Sequence, residues 1–162
     1  MDPNIIMAFE RSYGFRATNN EKFSVYNNYL KFKDQIHYVM SNTEDGPWKN
    51  EPNYAEWKDN ETGFSCYAIR NRSEGYWMGY VAVPKSNRFY GLNYETDPEV
   101  KNLENHGGIS WNSETLNDEW IFGFDCGHGY DSFPVRNTCF GPYRTLDYVM
   151  KICAELALQL AN

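Results

Sequence analysis

The clearest pattern of apolar and polar positions lies in the second half of the chain. Two runs rich in aromatic and β-branched residues, 64–69 and 76–83, are separated by a short polar segment. Runs of this length and composition favour β-strands, and the short interval between them favours an antiparallel hairpin. A second pair of runs, 108–111 and 119–125, flanks the polar turn 112–118 and predicts another hairpin.

A helix is predicted at the C-terminal end of the sequence. Thr145 is a suitable N-cap, and Asp147 lies in the first turn, where the helix dipole favours a carboxylate. Seven apolar residues follow at helical spacing: Leu146, Val149, Met150, Cys153, Leu156, Ala157 and Leu160. One apolar stripe of this kind predicts a helix that packs on a sheet. The fold class is therefore α+β, an antiparallel β-sheet packed against a C-terminal α-helix.

The N-terminal portion, residues 1–62, has a weaker pattern. The segment 21–40 fits either a hairpin or a helix, and its content of Tyr, Phe and Val favours strands. The segment 41–62 is polar with aromatic interruptions, which predicts a long ordered loop with room for one helical turn. We expect a single domain over 1–162, with its sheet-plus-helix core in 63–162.

The composition restricts the class of protein. The chain has 162 residues, a net charge of −7, 41% hydrophobic residues and a mean hydropathy of −0.71. No apolar run approaches the roughly 20 residues of a membrane span, so we expect no membrane partner. The excess of acidic residues argues against general nucleic-acid binding, because neutralising phosphates requires clustered Lys and Arg. An acidic face can still bind a basic partner.

The cysteines and the start of the sequence predict a cytoplasmic protein. The first residues show neither the basic segment nor the long apolar segment of a secretory signal. The four cysteines at 66, 126, 139 and 153 form no Cys-x-x-Cys pair, which argues against a zinc ribbon or a thioredoxin-type motif. We expect reduced thiols, with Cys66 and Cys153 acting as small hydrophobic residues.

Two of the three histidines flank the second predicted hairpin. His106 precedes its first strand, and His128 follows its second. These two ends lie side by side in an antiparallel hairpin. We therefore expect both imidazoles to converge with Asp125 and Asp131 at one end of the sheet. His37 has no companion motif and is interpreted as an ordinary surface or core residue.

Two imidazoles and two carboxylates suit a borderline divalent ion such as zinc, manganese or iron. An ion with an open coordination position lowers the pKa of a bound water, which then acts as a nucleophile. The first hypothesis is metal-assisted hydrolysis of a phosphoester or a nucleotide-like ligand. His106, His128 and Asp125 would have catalytic roles, and these three residues with Asp131 would be the metal ligands.

Other interpretations of the same cluster stay open. In a metal-free site, His106 and His128 would be a general acid–base pair, each oriented by a carboxylate. Cys126 could instead be a nucleophile with His106 as its base. Trp111, Tyr130 and Cys126 are candidate binding residues, since aromatic rings near the cluster can stack on a base or ring. In a purely structural interpretation, His128 only braces a glycine-rich loop.

Five motifs occur in a fixed order along residues 76–160. They are GYVAVP at 79–84, FYG at 89–91, HGGIS at 106–110, WIFGFDCGH at 120–128 and YRTLDYV at 143–149. This ordered set resembles a family of small uncharacterised phage and prophage proteins. The resemblance implies a viral origin and a place of action in the cytoplasm of an infected bacterium. It implies no particular activity, because the proteins of that family are uncharacterised.

The resemblance, the net charge and the small size support a second hypothesis. The protein would be a non-enzymatic phage inhibitor of a host defence system, such as an anti-CRISPR protein. It would bind a host protein complex or a nucleotide signal through an acidic, aromatic-rich surface. The first surface to probe is formed by acidic residues of the N-terminal portion: Glu44, Asp45, Glu51, Glu56, Asp59 and Glu61.

Overall fold

The fold is built around one antiparallel sheet, seen in a computed structural model that describes residues 6–7, 22–135 and 141–162. The strands are β1 (Ile6–Met7), β2 (Tyr54–Lys58), β3 (Ser65–Arg70), β4 (Trp77–Val83), β5 (Trp111–Glu114) and β6 (Trp120–Asp125). In space they follow the order β1-β2-β3-β4-β6-β5, and each neighbouring pair is antiparallel. The prediction of a reduced thiol at Cys139 falls outside the described residues.

Both predicted hairpins are present. Strands β3 and β4 match the predicted runs to within one residue, and Tyr67 pairs with Tyr80 near their centre. Strands β5 and β6 also pair, but β5 begins at Trp111, where the predicted run ends. The shift has a backbone cause. Gly107 and Gly108 have φ angles of 82° and 102°, so the chain turns at these residues instead of extending.

The C-terminal helix α3 (Leu146–Ala161) is confirmed, and its N-cap is Thr145 as predicted. The Thr145 hydroxyl oxygen accepts a hydrogen bond from the Tyr148 backbone N–H at 3.1 Å. The predicted apolar stripe is buried against the sheet, except for Met150, which is half-buried. Ile152, which was not among the predicted residues, is also buried. No helix within the described ranges is long and apolar enough to cross a membrane.

The opposite face of the sheet is covered by helix α1 (Val25–Ser41), so the strand prediction for residues 21–40 is wrong. The Ser24 hydroxyl caps this helix by accepting a hydrogen bond from the Asn27 backbone N–H at 3.3 Å. Its buried residues are Val25, Asn28, Tyr29, Ile36 and Met40. Helical spacing and the N-cap therefore outweigh the strand preference of the aromatic side chains.

The segment 41–62 is more regular than the predicted loop. It contains a 3₁₀ helix (Pro47–Asn50), which is the expected helical turn, and the whole of strand β2. In the connection that follows β4, Asp97 caps the short helix α2 (Pro98–Lys101). Strand β2 was missed because its residues are charged at Glu56 and Lys58, which lie towards the partly exposed end of the strand.

A buried arginine joins the sheet to the start of α3. The Arg70 side chain is fully buried, and its guanidinium lies 4.3 Å from the Trp77 ring. Its Nη1 donates to the Gly75 carbonyl oxygen at 2.7 Å, and its Nη2 lies 3.1 Å from Glu51 Oε1. The same Glu51 carboxylate accepts a hydrogen bond from the Leu146 backbone N–H. Glu51 therefore links the buried charge of β3 to the first turn of α3.

We expect Arg70→Met to lower the free energy of unfolding by about 3–5 kcal/mol, because it leaves the Glu51 carboxylate buried without its cation. Urea unfolding followed by circular dichroism measures this loss. The matched control is Arg88→Met, which removes an exposed ion pair with Glu99 and should cost about 0–1 kcal/mol. Equal losses in the two variants would contradict a structural role for the buried pair.

Candidate functional site

The β5–β6 hairpin brings His106 and His128 together at one end of the sheet, as the sequence predicts. Their ring centroids are 5.3 Å apart. The first residue of β5, Trp111, pairs with Gly123, and the Ser110 backbone N–H donates to the Gly123 carbonyl at 2.8 Å. The chain before β5 and the chain after β6 therefore leave the sheet next to each other.

The carboxylate of Asp131 lies between the two imidazoles and is almost completely buried. His106 Nε2 is 3.0 Å from each of its oxygens, and His128 Nδ1 is 3.2 Å from Oδ2. The His128 backbone N–H donates to Oδ2 at 3.1 Å, and the Asp131 N–H donates to the His128 carbonyl at 3.0 Å. The turn from 128 to 131 thus presents its own carboxylate to both rings.

Several hydrogen bonds, one of them from Arg144, keep this buried carboxylate ionised. Arg144 Nε donates to Asp131 Oδ1 at 2.9 Å. Burial by itself would raise the pKa of Asp131, but the hydrogen bonds from His106, Arg144 and the His128 backbone lower it below its usual value. An ionised carboxylate is the form that a metal ion binds.

Tyr148 fixes the other side of the His106 ring. Its hydroxyl oxygen is 2.7 Å from His106 Nδ1, and the two rings are nearly perpendicular at 88°. Burial raises the pKa of Tyr148, so the phenol stays neutral and can either donate or accept the hydrogen bond in this contact. Both ring nitrogens of His106 are therefore held in place, one by helix α3 and one by Asp131.

Sequence reasoning missed Arg144 and Tyr148 as members of the site. The only signal was the YRTLDYV motif at 143–149, in which both residues occur, but the motif by itself assigns them no role. They reach the histidines because α3 begins beside the hairpin end. That placement depends on packing and not on local pattern.

Asp125 approaches the opposite nitrogen of the His128 ring. Its Oδ1 is 3.9 Å from His128 Nε2 and accepts a hydrogen bond from the Gly127 N–H at 2.9 Å. Its Oδ2 accepts a hydrogen bond from the Ser110 hydroxyl at 3.3 Å. Asp125 thus caps a turn and faces His128 from outside the cluster, so the structure does not place it among the converging ligand atoms.

Gly107 passes directly over the His128 ring. A Cβ added at this glycine would lie 2.5 Å from His128 Cε1 and 2.6 Å from the Tyr130 hydroxyl oxygen. The φ of 82° at this residue is also unfavourable for side-chain-bearing residues. Position 107 therefore requires glycine for two separate reasons.

Tyr130 is the predicted binding residue that lies in the site. Its ring stacks on His128, with centroids 4.9 Å apart and an interplanar angle of 4°. The side chain is 48% exposed. Tyr130 therefore forms part of the solvent-facing wall of the site.

Cys126 and Trp111, the two other predicted binding residues, pack in the cores on either side of the sheet. Cys126 is 1% exposed and lies in the core on the α3 side of the sheet, and burial raises the pKa of its thiol. A buried neutral thiol is not a nucleophile, so the Cys126 mechanism is not supported. Trp111 packs on the α1 side, with its ring centroid 4.3 Å from that of Phe23.

Two of the six acidic residues proposed as a docking surface have structural roles instead. Glu51 belongs to the buried pair with Arg70. Asp59 is 8% exposed, and its Oδ2 accepts hydrogen bonds from the Thr62 backbone N–H and hydroxyl at 2.9 and 2.7 Å. The acidic surface in this region is therefore smaller than the sequence indicates.

The geometry of three side chains suits a metal ion. Ligand atoms of His106, His128 and Asp131 all lie within 4.8 Å of one another. Two ligand atoms about 2.1 Å from one ion, at angles near tetrahedral or octahedral, are separated by roughly 3.0–3.4 Å. The imidazole-to-carboxylate distances of 3.0 and 3.2 Å fall in that range.

Known protein families, characterised proteins and solved structures provide no match to this chain. The resemblance to phage and prophage proteins therefore stays a prediction. What the fold and the site define is a small α+β protein with a partly exposed His/Asp cluster at the end of a β-hairpin.

We expect Gly107→Ala to destabilise the protein more than Gly91→Ala. Both glycines have positive φ, 82° and 84°, so alanine at either position costs about 1 kcal/mol in backbone strain. Only Gly107 adds a clash with His128, since no atom of the described residues lies within 4 Å of a Cβ at Gly91.

Urea unfolding of both variants and the imidazole NMR signals of His128 measure this difference. The signals should shift in the Gly107 variant and stay in place in the Gly91 variant. Equal stability losses with an unchanged His128 spectrum would show that the backbone does not lie against the ring.

Proposed function

We propose that the protein is a metal-dependent hydrolase of phosphoesters or nucleotide-like molecules, and that His106, His128 and Asp131 hold its divalent ion. The observation that carries this proposal is the convergence of three ligand atoms within 4.8 Å. The side chain of His128 is 26% exposed, so one side of the cluster is accessible to water and substrate. A catalytic metal centre needs this open position.

The contact between His106 and Asp131 is compact enough for one ion to bind both groups. His106 Nε2 lies at the same distance, 3.0 Å, from both carboxylate oxygens. An ion located between the imidazole and the carboxylate would satisfy both groups.

The groups around the ligands fit the outer shell of a metal centre. With His128 Nδ1 on the ion, its Nε2–H faces Asp125. With His106 Nε2 on the ion, its Nδ1–H faces the hydroxyl oxygen of Tyr148. In a ligating histidine, the N–H of the second ring nitrogen commonly donates a hydrogen bond to such a partner, which orients the ring and raises its basicity. We therefore assign Asp125 and Tyr148 positioning roles.

The donor set selects among the three expected ions. Two imidazole nitrogens, one carboxylate and an open position are typical of catalytic zinc. The same set is found in non-haem iron sites, and manganese accepts it with more oxygen ligands. We propose zinc first, because hydrolysis requires only a Lewis acid and water.

The proposed reaction transfers a phosphoryl group to water. A divalent ion lowers the pKa of the water it binds. The water oxygen forms a bond to phosphorus, and the bond from phosphorus to the leaving oxygen breaks. One proton leaves the water for solvent, and the leaving oxygen takes up one proton, so the products are an alcohol and a phosphate.

The metal centre is tested by isothermal titration of the metal-free protein with zinc, together with elemental analysis of the purified protein. We expect one ion per chain. His106→Ala, His128→Ala and Asp131→Asn should each weaken zinc binding by at least about 100-fold, more than the loss of an outer-shell partner.

His37→Ala is the matched control, because this third histidine is exposed on α1. It should bind zinc as the unaltered protein does. Absence of zinc binding by the unaltered protein, or an equal loss in His37→Ala, would refute the metal centre.

Hydrolysis is tested with p-nitrophenyl phosphate and bis(p-nitrophenyl) phosphate. We expect release of nitrophenol that stops in the presence of a chelator and returns when zinc, manganese or iron is restored. The His106→Ala/His128→Ala double variant should be inactive. If the protein binds the ion and none of the three metals supports hydrolysis, the hydrolase assignment fails and the metal centre remains.

The non-enzymatic hypothesis, an inhibitor of a host defence complex, stays a prediction. The same double variant separates it from catalysis. Retention of the full biological effect by that variant in an infected host would favour the inhibitor, since a binding surface elsewhere would be unaltered.

A further inference from the structure

We infer that Arg144 is the phosphoryl-binding residue of this site, so that the ligand must present an anionic phosphate group beside the ion. The inference rests on the proposed function and deepens it, because it assigns the substrate charge to one side chain. It is argued from the contacts, the exposure and the charge of Arg144.

Arg144 uses only part of its hydrogen-bonding capacity. Its Nε donates to Asp131 Oδ1 at 2.9 Å, and its guanidinium carbon lies 4.9 Å from the centre of the Tyr148 ring. Among the residues that the structure describes, none accepts a hydrogen bond from its two terminal nitrogens. The side chain is 22% exposed. Up to four N–H donors of a fixed guanidinium are thus available at the site.

The other arginine with a carboxylate partner in the interior shows the contrast. Arg70 is fully buried, and each of its three nitrogens has a hydrogen-bond acceptor, Asn53, Gly75 and Glu51 among them. Such an arginine holds loops together and has no donor left for a ligand. Arg144 is held in place by Asp131 and Tyr148, and its two terminal nitrogens make no hydrogen bond to the described residues.

The position of Arg144 matches a group bound to the ion. Its Nε and His106 Nε2 contact the same oxygen of Asp131, at 2.9 and 3.0 Å. The guanidinium is therefore separated from the ion position by one carboxylate oxygen. A phosphate with one oxygen on the ion has further oxygens that can reach the terminal nitrogens, and arginine binds such oxygen pairs in bidentate geometry.

The charge balance of the loaded site selects an anion. Asp131 and Arg144 cancel each other, the two histidines are neutral as ligands, and Asp125 contributes one negative charge. A divalent ion then leaves the site with a net positive charge, although the whole chain carries −7. A phosphate dianion or monoanion is attracted to this local charge, whereas an uncharged ester or amide substrate gains nothing from Arg144.

The test measures binding of inorganic phosphate, adenosine 5′-monophosphate and adenosine to the zinc-loaded protein by titration calorimetry. We expect the first two to bind and adenosine to fail. Tighter binding of the nucleotide than of phosphate would identify a nucleotide as the source of the phosphate, and equal binding would identify the phosphate group alone. Either result supports the role of Arg144, provided that substitution of Arg144 weakens the binding.

Arg144→Gln should weaken binding of inorganic phosphate by about 10- to 100-fold, which is the effect of losing a hydrogen bond to a charged group. Its zinc affinity should change by less than about threefold, because glutamine can still donate to Asp131. Arg144→Lys should have an intermediate phosphate affinity, since a point charge replaces a bidentate donor. Arg88→Gln, an exposed arginine paired with Glu99, is the matched control and should bind phosphate normally.

Three results would overturn the inference. They are unchanged phosphate binding in Arg144→Gln, equal loss of zinc and phosphate in that variant, and a zinc-loaded unaltered protein that binds no phosphate. The second result would mean that Arg144 only supports Asp131. The proposed metal centre fails separately, if the unaltered protein binds no zinc. If phosphate still binds in that case and its binding still requires Arg144, Arg144 is an anion-binding residue that acts without a metal ion.

Discussion

The ion pair of Arg70 and Glu51 connects strand β3 to the first turn of helix α3, and residues on either side of that turn reach the candidate site. Arg70 is the last residue of strand β3. The Glu51 carboxylate accepts hydrogen bonds from the Arg70 guanidinium and from the first backbone N–H of α3. Because the charges are removed from water, the pair is stable only while both partners are present. Arg144 and Tyr148 lie on either side of the helix start and contact Asp131 and His106.

The elements that could be predicted from sequence are those whose signal is local. The two hairpins and α3 follow from apolar runs, polar turns and a capping threonine. Helix α1 could not be predicted from composition, because its three tyrosines and its phenylalanine favour strands in isolation. In the structure only Tyr29 of these is buried against the sheet, where it stacks on Tyr54 with ring centroids 4.9 Å apart, and Tyr26 and Tyr38 are exposed. Strand β5 was shifted because two consecutive glycines adopt positive φ before it.

The candidate site was predictable only as far as hairpin geometry reaches. The approach of His106 and His128 follows from strand pairing alone. Proximity in sequence does not say which face a side chain takes: Cys126 packs on the α3 side of the sheet and Trp111 on the α1 side. Arg144 could not be found in the same way, since its contact with Asp131 is created by the packing of α3 and not by any nearby pattern.

The close passage of Gly107 over the His128 ring has a consequence for how this sequence can diverge. Any side chain at 107 would occupy the volume of the imidazole, so the two positions cannot vary independently. A descendant that keeps His128 must also inherit glycine at 107. In a descendant that has lost the histidine, the clash with the imidazole is gone, and only the positive φ still favours glycine at 107.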